Sequence, residues 1–482
     1  MILHPEGFRD YDARWRTPEQ IDAAGMERVG LALAAMARQR HGDRPAIVIG
    51  HDLRREAEEM HRALRSGLVA GGAHVLDCGL ALSPVVYHHW LFRRIDAGAV
   101  GCAMVTASHN PDGWTGVKMG LGQAPLTFAA EDMKELRDLA LHGDPAPAPG
   151  GSATSIPGAA SKWMKGIATR DPVRHIRAVI ACGNGTAAAF VPSPLEAISV
   201  DVVPLGCTPD WTFPLHHPNP DALPMQEAMS HAVIESGAEI GIGFDGDGDR
   251  IGVVDGKGRV IPGDRLGLIM ARLIARRSPG ARFLVDIKST GLWADDPVLA
   301  AHGATVEFGP TGHSHMKRRL HAMREGREGC VVAGFERSGH VFLGPPYGHG
   351  FDDAPAAAIR LLEFLGHEGS IVDLADALPT TFATPAHEPA CADAVKHAVA
   401  RRLCERLGAL TELGGRSVAS HVEAGGLRAQ TDGGSWALIR ASSNTPNLVV
   451  MAESIESAQH RDAILADLTT LLETEPEVGP LI

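Results

Sequence analysis

A polar segment that directly follows the apolar stretch 99–105 carries side chains able to take part in phosphoryl transfer. It contains the hydroxyl of Ser108 and the imidazole of His109. The apolar stretch predicts a buried strand, and open α/β sheets bind ligands beyond the carboxyl ends of their strands. A phosphate on Ser108 would carry nearly two negative charges, and His109 and Lys118 are candidates to balance them.

Three carboxylates, Asp245, Asp247 and Asp249, stand within five residues, separated by glycines and followed by Arg250. The glycines let the backbone turn so that the oxygens converge on one cation. The segment does not fit an EF-hand, because Arg250 occupies the place of the turn glycine and Gly256 that of the last ligand. Mg²⁺ is the ion that best suits this set, and a solvated acidic turn is the alternative.

A third segment combines an acceptor, a hydroxyl and a titratable ring, namely Glu336, Ser338 and His340, on a glycine-containing loop after a predicted strand. These groups can form hydrogen bonds with sugar hydroxyls. An ordinary polar loop would have the same composition. Lys288 and His313 follow neighbouring predicted strands at equivalent positions. Because such positions meet at one edge of a sheet, we expect these side chains to share a cleft suited to a phosphosugar.

A fourth segment places an arginine before a loop rich in hydroxyl groups. It suits a dianion held by a guanidinium, hydroxyls and backbone N–H groups. Serine, threonine and asparagine are also common in ordinary turns. The candidate residues of this segment are Arg440, Ser442, Ser443, Asn444 and Thr445.

The pattern of the chain predicts alternating strands and helices, which is typical of parallel sheets with crossover helices. We expect the first helix to begin at Thr17-Pro18 with Thr17 as its cap, and a linker between residues 141 and 157. The last hundred residues predict strands followed by a helix, an α+β pattern. The predicted domains are 1–150, 151–258, 259–372 and 373–482.

The amino-acid composition and net charge restrict the classes of protein to which this chain can belong. The chain has 482 residues, 44 % of them apolar, and a formal net charge of -13, which disfavours nucleic acid and acidic membrane surfaces as partners. Its seven cysteines form no closely spaced pairs, and we find neither a signal peptide nor a long apolar segment. These features predict a cytoplasmic, multidomain globular protein with reduced thiols.

The four segments occur in the order of the motifs of the α-D-phosphohexomutase family, and the chain most resembles the bacterial phosphomannomutase/phosphoglucomutase branch. The resemblance covers nearly the whole length. It implies an α/β protein of four domains around a central cleft: domains 1–3 are related α/β sheets with crossover helices, and domain 4 is α+β.

The resemblance also implies a reaction. Phosphorylated Ser108 would donate its phosphoryl group to a hexose 1- or 6-phosphate of mannose or glucose, and the hexose 1,6-bisphosphate would reorient and return the other phosphate. Mg²⁺ would be held by a phosphoserine oxygen together with Asp245, Asp247 and Asp249. Catalytic candidates are Ser108, His109, Lys118, Arg14 and His340. Substrate-binding candidates are Tyr11, Lys288, His313, Glu336, Ser338, Arg440, Ser442, Ser443, Asn444 and Thr445.

The sequence departs from the family pattern where Trp15 and Phe335 replace glycines and where Ser443-Asn444 replaces an Asn-Thr pair. Because glycine allows backbone conformations that bulky residues resist, the first two changes are expected to affect loop geometry or sugar preference. Two alternatives remain: a phosphoglucosamine mutase, disfavoured by Arg337 where that enzyme usually has glutamine, and a degenerate sugar-phosphate-binding protein without catalysis.

Overall fold

The computed structural model describes residues 1–168, 174–443 and 445–481. The chain forms two compact units. Unit 1 comprises Met1–Gly263 and Ser338–Val372, and unit 2 comprises Asp264–Arg337 and Asp373–Ile482. Among the helices of these described segments, none combines the length and the apolar character that a membrane span needs.

The first sheet of unit 1 has six strands in the order β1-β5-β4-β2-β3-β6. The central strands β4, β2 and β3 are parallel, whereas β5 runs antiparallel to both β4 and β1. Apolar side chains of β2, β4 and β5 form one core with the first two helices. The elements are β1 (Asp12–Arg16), α1 (Ala23–His41), β2 (Ala46–His51), α2 (Ala57–Ala70), β3 (His74–Leu80), α3 (Ser83–Asp96), β4 (Ala99–Val105), β5 (Trp114–Leu121), α4 (Ala130–Leu141) and β6 (Ser152–Ser155), with a 3-10 helix at Pro5–Gly7.

The second sheet of unit 1 has the order β11-β10-β9-β7-β8. Strand β7 is parallel to β8 and β9, and β10 returns antiparallel to β9, so residues 245–250 form the connection between β9 and β10. The elements are α5 (Ala159–Ile167), β7 (Ile176–Ala181), a 3-10 helix (Thr186–Ala189), α6 (Pro192–Ala197), β8 (Val200–Leu205), α7 (Leu223–Ser236), β9 (Ile240–Phe244), β10 (Ile251–Asp255) and β11 (Val260–Ile261).

Unit 2 begins with a parallel sheet in which β12 lies between β13 and β14. Its buried strand residues pack on α8 and α10, as expected for crossover connections. The elements are α8 (Gly263–Arg277), β12 (Arg282–Asp286), a 3-10 helix (Gly291–Trp293), α9 (Pro297–Ala301), β13 (Thr305–Gly309), α10 (His313–Arg324) and β14 (Val332–Phe335). The chain then contributes β15 (Val341–Leu343) and α11 (Ala354–Glu368) to unit 1, and α12 (Ile371–Asp376) follows.

The C-terminal part of unit 2 is an antiparallel sheet of six strands in the order β16-β21-β20-β19-β18-β17. Two helices pack on one face of this sheet and bury its apolar side chains. The elements are β16 (Phe382–Ala383), α13 (Lys396–Gly408), β17 (Glu412–Leu413), β18 (Arg416–Glu423), β19 (Gly426–Thr431), β20 (Trp436–Ala441), β21 (Leu448–Ser454) and α14 (Ala458–Leu472).

The predicted fold class is confirmed: three α/β sheets precede an antiparallel α+β domain. The predicted helix start at Thr17 is wrong. Thr17 instead donates from its backbone N–H and its hydroxyl to Gly113 O, and α1 begins at Ala23 after Asp22, whose carboxylate accepts from the Gly25 N–H at 2.7 Å. The predicted linker is also partly wrong, because β6 pairs in parallel with β3.

Candidate active site

Strands from both sheets of unit 1 bring the reactive side chains of the first two motifs together. Strand β4 ends immediately before the segment that carries Ser108. Strand β5 is paired with β4 so that Lys118 lies opposite Met104. The loop after β9 approaches closely, because a Cβ on Gly246 would lie 2.3 Å from the Ser108 carbonyl oxygen. Only glycine permits this approach of one backbone to the other.

The Ser108 hydroxyl is held in a fixed position. The residue is 3 % exposed and has a φ of 53°, an uncommon conformation for a non-glycine residue. Its N–H donates to Thr106 Oγ1 at 2.8 Å, and its hydroxyl donates to Asp245 Oδ2 at 3.0 Å. His109 Nδ1 lies 3.2 Å from Ser108 Oγ. The side chain thus has a carboxylate on one side and an imidazole beside it.

The three aspartates form a closed anionic cluster. All are fully buried, and their carboxylate oxygens lie within 4.8 Å of one another. Lys118 Nζ donates to Asp247 Oδ2 at 2.7 Å and contacts Asp249 Oδ2. Lys118 supplies one positive charge to this cluster, and a divalent cation would balance the negative charge that remains when all three carboxylates are ionised.

Some carboxylate oxygens of this cluster have no hydrogen-bond partner among the described residues, and they indicate whether its residues could bind a metal ion. Within the described parts of the chain, Asp247 Oδ1 and Asp249 Oδ1 are buried and have no hydrogen-bond partner. Buried carboxylate oxygens without a donor are costly, and hard oxygen ligands are those that Mg²⁺ prefers. The aspartates therefore fit a hard divalent cation.

The protonation of the groups around Ser108 follows from burial and charge. Burial and the charges of Asp249 and Asp247 raise the pKa of Asp245 well above its usual value. Burial would lower the pKa of Lys118, but the carboxylates of Asp247 and Asp249 outweigh it and raise that pKa. The charge of Arg250, burial and the charge of Arg14 lower the pKa of His109. His109 is accordingly neutral and Lys118 charged at neutral pH.

His340 occupies the other side of the aspartate cluster. Arg250 Nε donates to His340 Nε2 at 3.0 Å, so this nitrogen carries no proton while it accepts the bond. His340 Nδ1 lies 3.3 Å from Asp352 Oδ2 and 3.8 Å from Asp249 Oδ1. The ring is thereby oriented by an arginine on one nitrogen and by carboxylates on the other.

Asp52 and Arg54, which were not predicted as site residues, stabilise the loop that contains Ser108, called the serine loop below. Arg54 is 7 % exposed and donates to three carbonyl oxygens of that loop: Nη2 to Ser108 O at 2.7 Å and to Asn110 O at 2.6 Å, and Nη1 to Pro111 O at 3.0 Å. Asp52 Oδ2 lies 3.3 Å from Arg54 Nε. Both residues directly follow β2, and this position is the signal that could have identified them.

The N-terminal candidates lie at the edge strand β1. Arg14 forms an ion pair with Asp12 at 2.8 Å and lies beside Gly116, and Tyr11 is buried. Trp15 is fully buried, and its Nε1 donates to His4 O at 2.9 Å. Strand alternation directs it away from the face of Arg14.

In unit 2, the candidate sugar-binding residues Lys288, His313 and Glu336 lie at the ends of the parallel strands. Glu336 is 2 % exposed and accepts from the Gly312 N–H at 2.6 Å, next to His313 at the start of α10. Lys288 follows β12, and its Nζ lies 3.9 Å from Asp286 Oδ2. Phe335 is buried against Trp293, with ring centroids 5.6 Å apart.

Of the candidate phosphate-binding residues of unit 2, Arg440 lies near the end of β20, and Ser442, Ser443 and Thr445 follow that strand. Arg440 Nη2 donates to Ser443 Oγ at 3.0 Å, and the Thr445 hydroxyl donates to Ser442 Oγ at 2.7 Å. Lys396, which was not predicted, donates from Nζ to Thr445 O at 3.0 Å. Asn444 lies outside the described residues.

The structure thus distributes the predicted site residues between the two units. Unit 1 contains the catalytic and metal-ligand candidates together with Tyr11 and Ser338, and unit 2 contains the remaining substrate-binding candidates. Ser338 belongs to unit 1 and Glu336 to unit 2. The unit 1 set is Tyr11, Arg14, Ser108, His109, Lys118, Asp245, Asp247, Asp249, Arg250, Ser338 and His340, and the described unit 2 set is Lys288, His313, Glu336, Arg440, Ser442, Ser443 and Thr445.

Comparison with known proteins agrees with this architecture. Sequence models of phosphoglucomutase/phosphomannomutase alpha/beta/alpha domains I, II and III match residues 5–144, 161–258 and 262–382. A phosphomannomutase/phosphoglucomutase of Pseudomonas syringae pv. tomato is 32 % identical over 462 residues, which cover 95 % of this chain and 93 % of the relative. A phosphoglucomutase of Neisseria gonorrhoeae is 33 % identical, with 94 % of this chain and 95 % of the relative covered.

A solved structure shows the same fold. The crystal structure of a phosphoglucomutase/phosphomannomutase family protein from Burkholderia thailandensis superimposes with a TM-score of 0.87 and 28 % identity, and each chain is covered completely. The chain therefore belongs to the phosphoglucomutase/phosphomannomutase family, which confirms the predicted resemblance to the α-D-phosphohexomutases.

Proposed function

We propose that this chain is a Mg²⁺-dependent hexose phosphate mutase that moves a phosphoryl group between the 1- and 6-positions of mannose or glucose phosphates. The observation that carries the proposal is the position of Ser108: its hydroxyl lies 3.0 Å from Asp245 Oδ2, in a buried cluster that includes Lys118. The names of the relatives, which are mutases of these sugar phosphates, support the substrate class.

The reaction begins with a phosphate on Ser108. The P–O bond to Ser108 Oγ breaks while a free hydroxyl of the hexose monophosphate bonds to phosphorus, and the proton of that hydroxyl passes to a base. The hexose 1,6-bisphosphate then turns round; Ser108 Oγ bonds to phosphorus of the other phosphate, the P–O bond to the sugar breaks, and the sugar oxygen takes up a proton from an acid. Each cycle therefore restores the phosphoserine and consumes no net phosphate.

In this proposal Asp245, Asp247 and Asp249 hold Mg²⁺ together with a phosphoserine oxygen. When bound, the ion would neutralise charge that develops on the transferred phosphoryl group. Lys118 supplies a fixed positive charge beside the same oxygens. Because it retains its proton at neutral pH, we assign it to charge stabilisation rather than to proton removal.

Two histidines are the candidates for proton transfer. His109 lies beside Ser108 Oγ and is neutral, so it can accept a proton. His340 has one ring nitrogen beside Asp352 and the other bonded to Arg250, so it would have to release one of these contacts to exchange a proton with the sugar. Arg14 and Arg250 would add positive charge near the phosphoserine.

The remaining roles concern recognition of the phosphosugar. Glu336 and Ser338 would bind sugar hydroxyls in both orientations, assisted by Tyr11, Lys288 and His313. The phosphate that is not transferred would bind to the phosphate loop. The residues of that loop are Arg440, Ser442, Ser443, Asn444 and Thr445.

The proposal also includes the organisation of the protein. It keeps the division into domains 1–150, 151–258, 259–372 and 373–482, and a cytoplasmic location. The seven cysteines, all present as free thiols, support that location.

The experiment is to incubate purified protein with mannose 1-phosphate, Mg²⁺ and a trace of hexose 1,6-bisphosphate. We expect mannose 6-phosphate to form, with Ser108→Ala as the inactive control. Glucose 1-phosphate and glucosamine 6-phosphate run in parallel establish the sugar preference. Product no greater than in the Ser108→Ala control, together with an intact mass that shows no phosphate, would refute the proposal and favour a non-catalytic sugar-phosphate-binding protein.

A further inference from the structure

Two of the free thiols, Cys182 and Cys207, lie in contact although 25 residues separate them in the chain. Their sulfur atoms are 3.7 Å apart. They follow the parallel strands β7 and β8, whose pairing places Ala181 opposite Leu205. Gly206 has a φ of 61°, so the chain turns after β8 and Cys207 can face Cys182 instead of alternating to the opposite side.

The two thiols differ in environment. Cys182 is fully buried, whereas Cys207 is partly exposed and is therefore the more accessible residue of the pair. The hydrogen bond between the two thiols lowers the pKa of Cys207, and the same contact together with burial raises the pKa of Cys182. A lowered pKa and exposure mark the sulfur that reacts first with the oxidant, and a buried neighbouring thiol is placed to resolve the product.

The segment after Cys182 connects this pair to the catalytic loops. The Thr186 N–H donates to Gly246 O at 3.2 Å, between two of the metal-binding aspartates. The Thr186 hydroxyl accepts from the Leu53 N–H at 3.1 Å, in the segment that holds the serine loop through Arg54. A disulfide needs an S–S distance of about 2.05 Å, so the two sulfurs must move closer, and any part of that movement taken up by the backbone would displace these contacts.

We propose that Cys182 and Cys207 form a reversible disulfide that lowers catalytic activity when a peroxide oxidises the protein. The Cys207 thiolate attacks one peroxide oxygen, the O–O bond breaks, and a sulfenic acid and hydroxide result. The Cys182 sulfur then attacks Cys207 Sγ; the S–S bond forms, the S–O bond breaks, and the Cys182 proton leaves with the hydroxyl group as water. Two thiols are oxidised and one peroxide is reduced to two waters.

The test treats reduced, full-length protein with hydrogen peroxide, blocks the remaining thiols with N-ethylmaleimide, and maps peptides without reduction. We expect a Cys182–Cys207 cross-linked peptide and an intact mass lower by two hydrogen atoms. We also expect mutase activity to fall by roughly tenfold, because displacements of about 1 Å can have large effects on rate, and to return with dithiothreitol.

Three variants separate this proposal from general oxidation. Cys207→Ser and Cys182→Ala should retain the activity of the reduced protein and resist peroxide. Cys330→Ser removes a thiol that contacts only backbone carbonyls and should respond like the unchanged protein. Failure to detect the cross-linked peptide, a cross-link between two chains, full activity in the cross-linked form, or inactivation of Cys207→Ser would each overturn the proposal.

The activity part of this inference rests on the proposed mutase function. The two are distinguishable, because disulfide formation is read from mass alone. A reduced protein without mutase activity refutes the proposed function, whereas an active reduced protein that forms no cross-link refutes only the disulfide.

Discussion

The two units of the molecule hold their candidate site residues in different ways. In unit 1, Ser108, Lys118 and the three aspartates are each at most 3 % exposed and bond directly to one another. In unit 2, Lys288, Ser443 and Thr445 are partly exposed, and their side chains contact residues two or three positions away, whereas Glu336, Arg440 and Ser442 are buried. The unit 1 set forms one buried charged network, and the unit 2 set includes partly exposed side chains on loops.

This difference corresponds to two chemical requirements. Groups that stabilise a transferring phosphoryl group act best when they are fixed before the reaction and shielded from water. Groups that bind a sugar in either of two orientations must instead tolerate different contacts. We therefore expect substitutions in unit 1 to lower kcat and substitutions in unit 2 to act mainly on KM.

The largest effect should come from Lys118→Met in unit 1. Loss of the ammonium group leaves three buried carboxylates without their cation, so kcat should fall by roughly 10²- to 10³-fold and stability by about 3–5 kcal/mol. Added Mg²⁺ should recover more stability in the variant than in the unchanged protein. Steady-state kinetics and urea unfolding with and without Mg²⁺ measure both effects.

Lys134→Met is the matched control, because Lys134 is exposed on α4. It should leave both quantities nearly unchanged. A Lys118→Met variant that retains normal kcat would show that the unit 1 network does not serve the reaction.

Arg54→Ala should have the next largest effect on kcat. We expect this effect because Arg54 positions the serine loop, not because it contacts the substrate. It removes three bonds to the carbonyls that shape the serine loop, so kcat should fall by about 10²-fold with little change in KM. Lysine lacks the planar fork, so Arg54→Lys should rescue only in part. Arg55→Ala, at an exposed neighbouring side chain, is the control, and a rise in KM alone would contradict the assignment.

The sequence predicted the elements that depend on local pattern. Strand β4 has the bounds that its apolar run predicts, and the spacing of the aspartates predicted their convergence. The start of α1 was missed because Thr17 and Asp22 have similar capping chemistry, and contacts with Gly113 decide between them. Strand β6 was missed because it is a polar edge strand without alternation.

The parts of the site that the sequence did not reveal depend on contacts between distant segments. Arg54 reaches Ser108 O only because β2 and β4 are neighbours in the sheet. The contact of Asp352 with His340 likewise depends on tertiary structure. The bulky residues that replace family glycines are explained by packing: Trp15 lies against Gly7, and Phe335 against Gly267.

Arg440→Lys probes unit 2 and should have a smaller effect than the unit 1 substitutions. Lysine keeps the charge but loses the fork that binds a phosphate through two bonds, so KM should rise by roughly tenfold while kcat changes little. Initial rates over a range of hexose phosphate concentrations separate the two constants. Arg416→Lys, on an exposed part of β18, is the control. A fall in kcat without a change in KM would show that this substitution in unit 2 acts like those in unit 1, contrary to our expectation.

The smallest effect concerns the stability of unit 1 in acid, through His88 on α3. His88 is 8 % exposed and lies near His89 and His349, with ring centroids 5.2 and 5.6 Å away. Burial and the charges of those two histidines lower its pKa to about 3. Below the unfolded pKa of about 6.5, the unfolded chain binds a proton that the folded protein excludes, so this contribution to stability is lost as pH falls from there towards 3.

Replacement of this histidine by phenylalanine removes the titrating group while retaining a buried ring. Between pH 7.5 and 5 the unchanged protein should therefore lose at most about 2 kcal/mol more stability than His88→Phe. Urea unfolding at the two pH values measures the difference, and His142→Phe, at an exposed histidine of the same unit, should show no such gain. Equal acid sensitivity in His88→Phe and the unchanged protein would mean that other groups govern the response of unit 1 to acid.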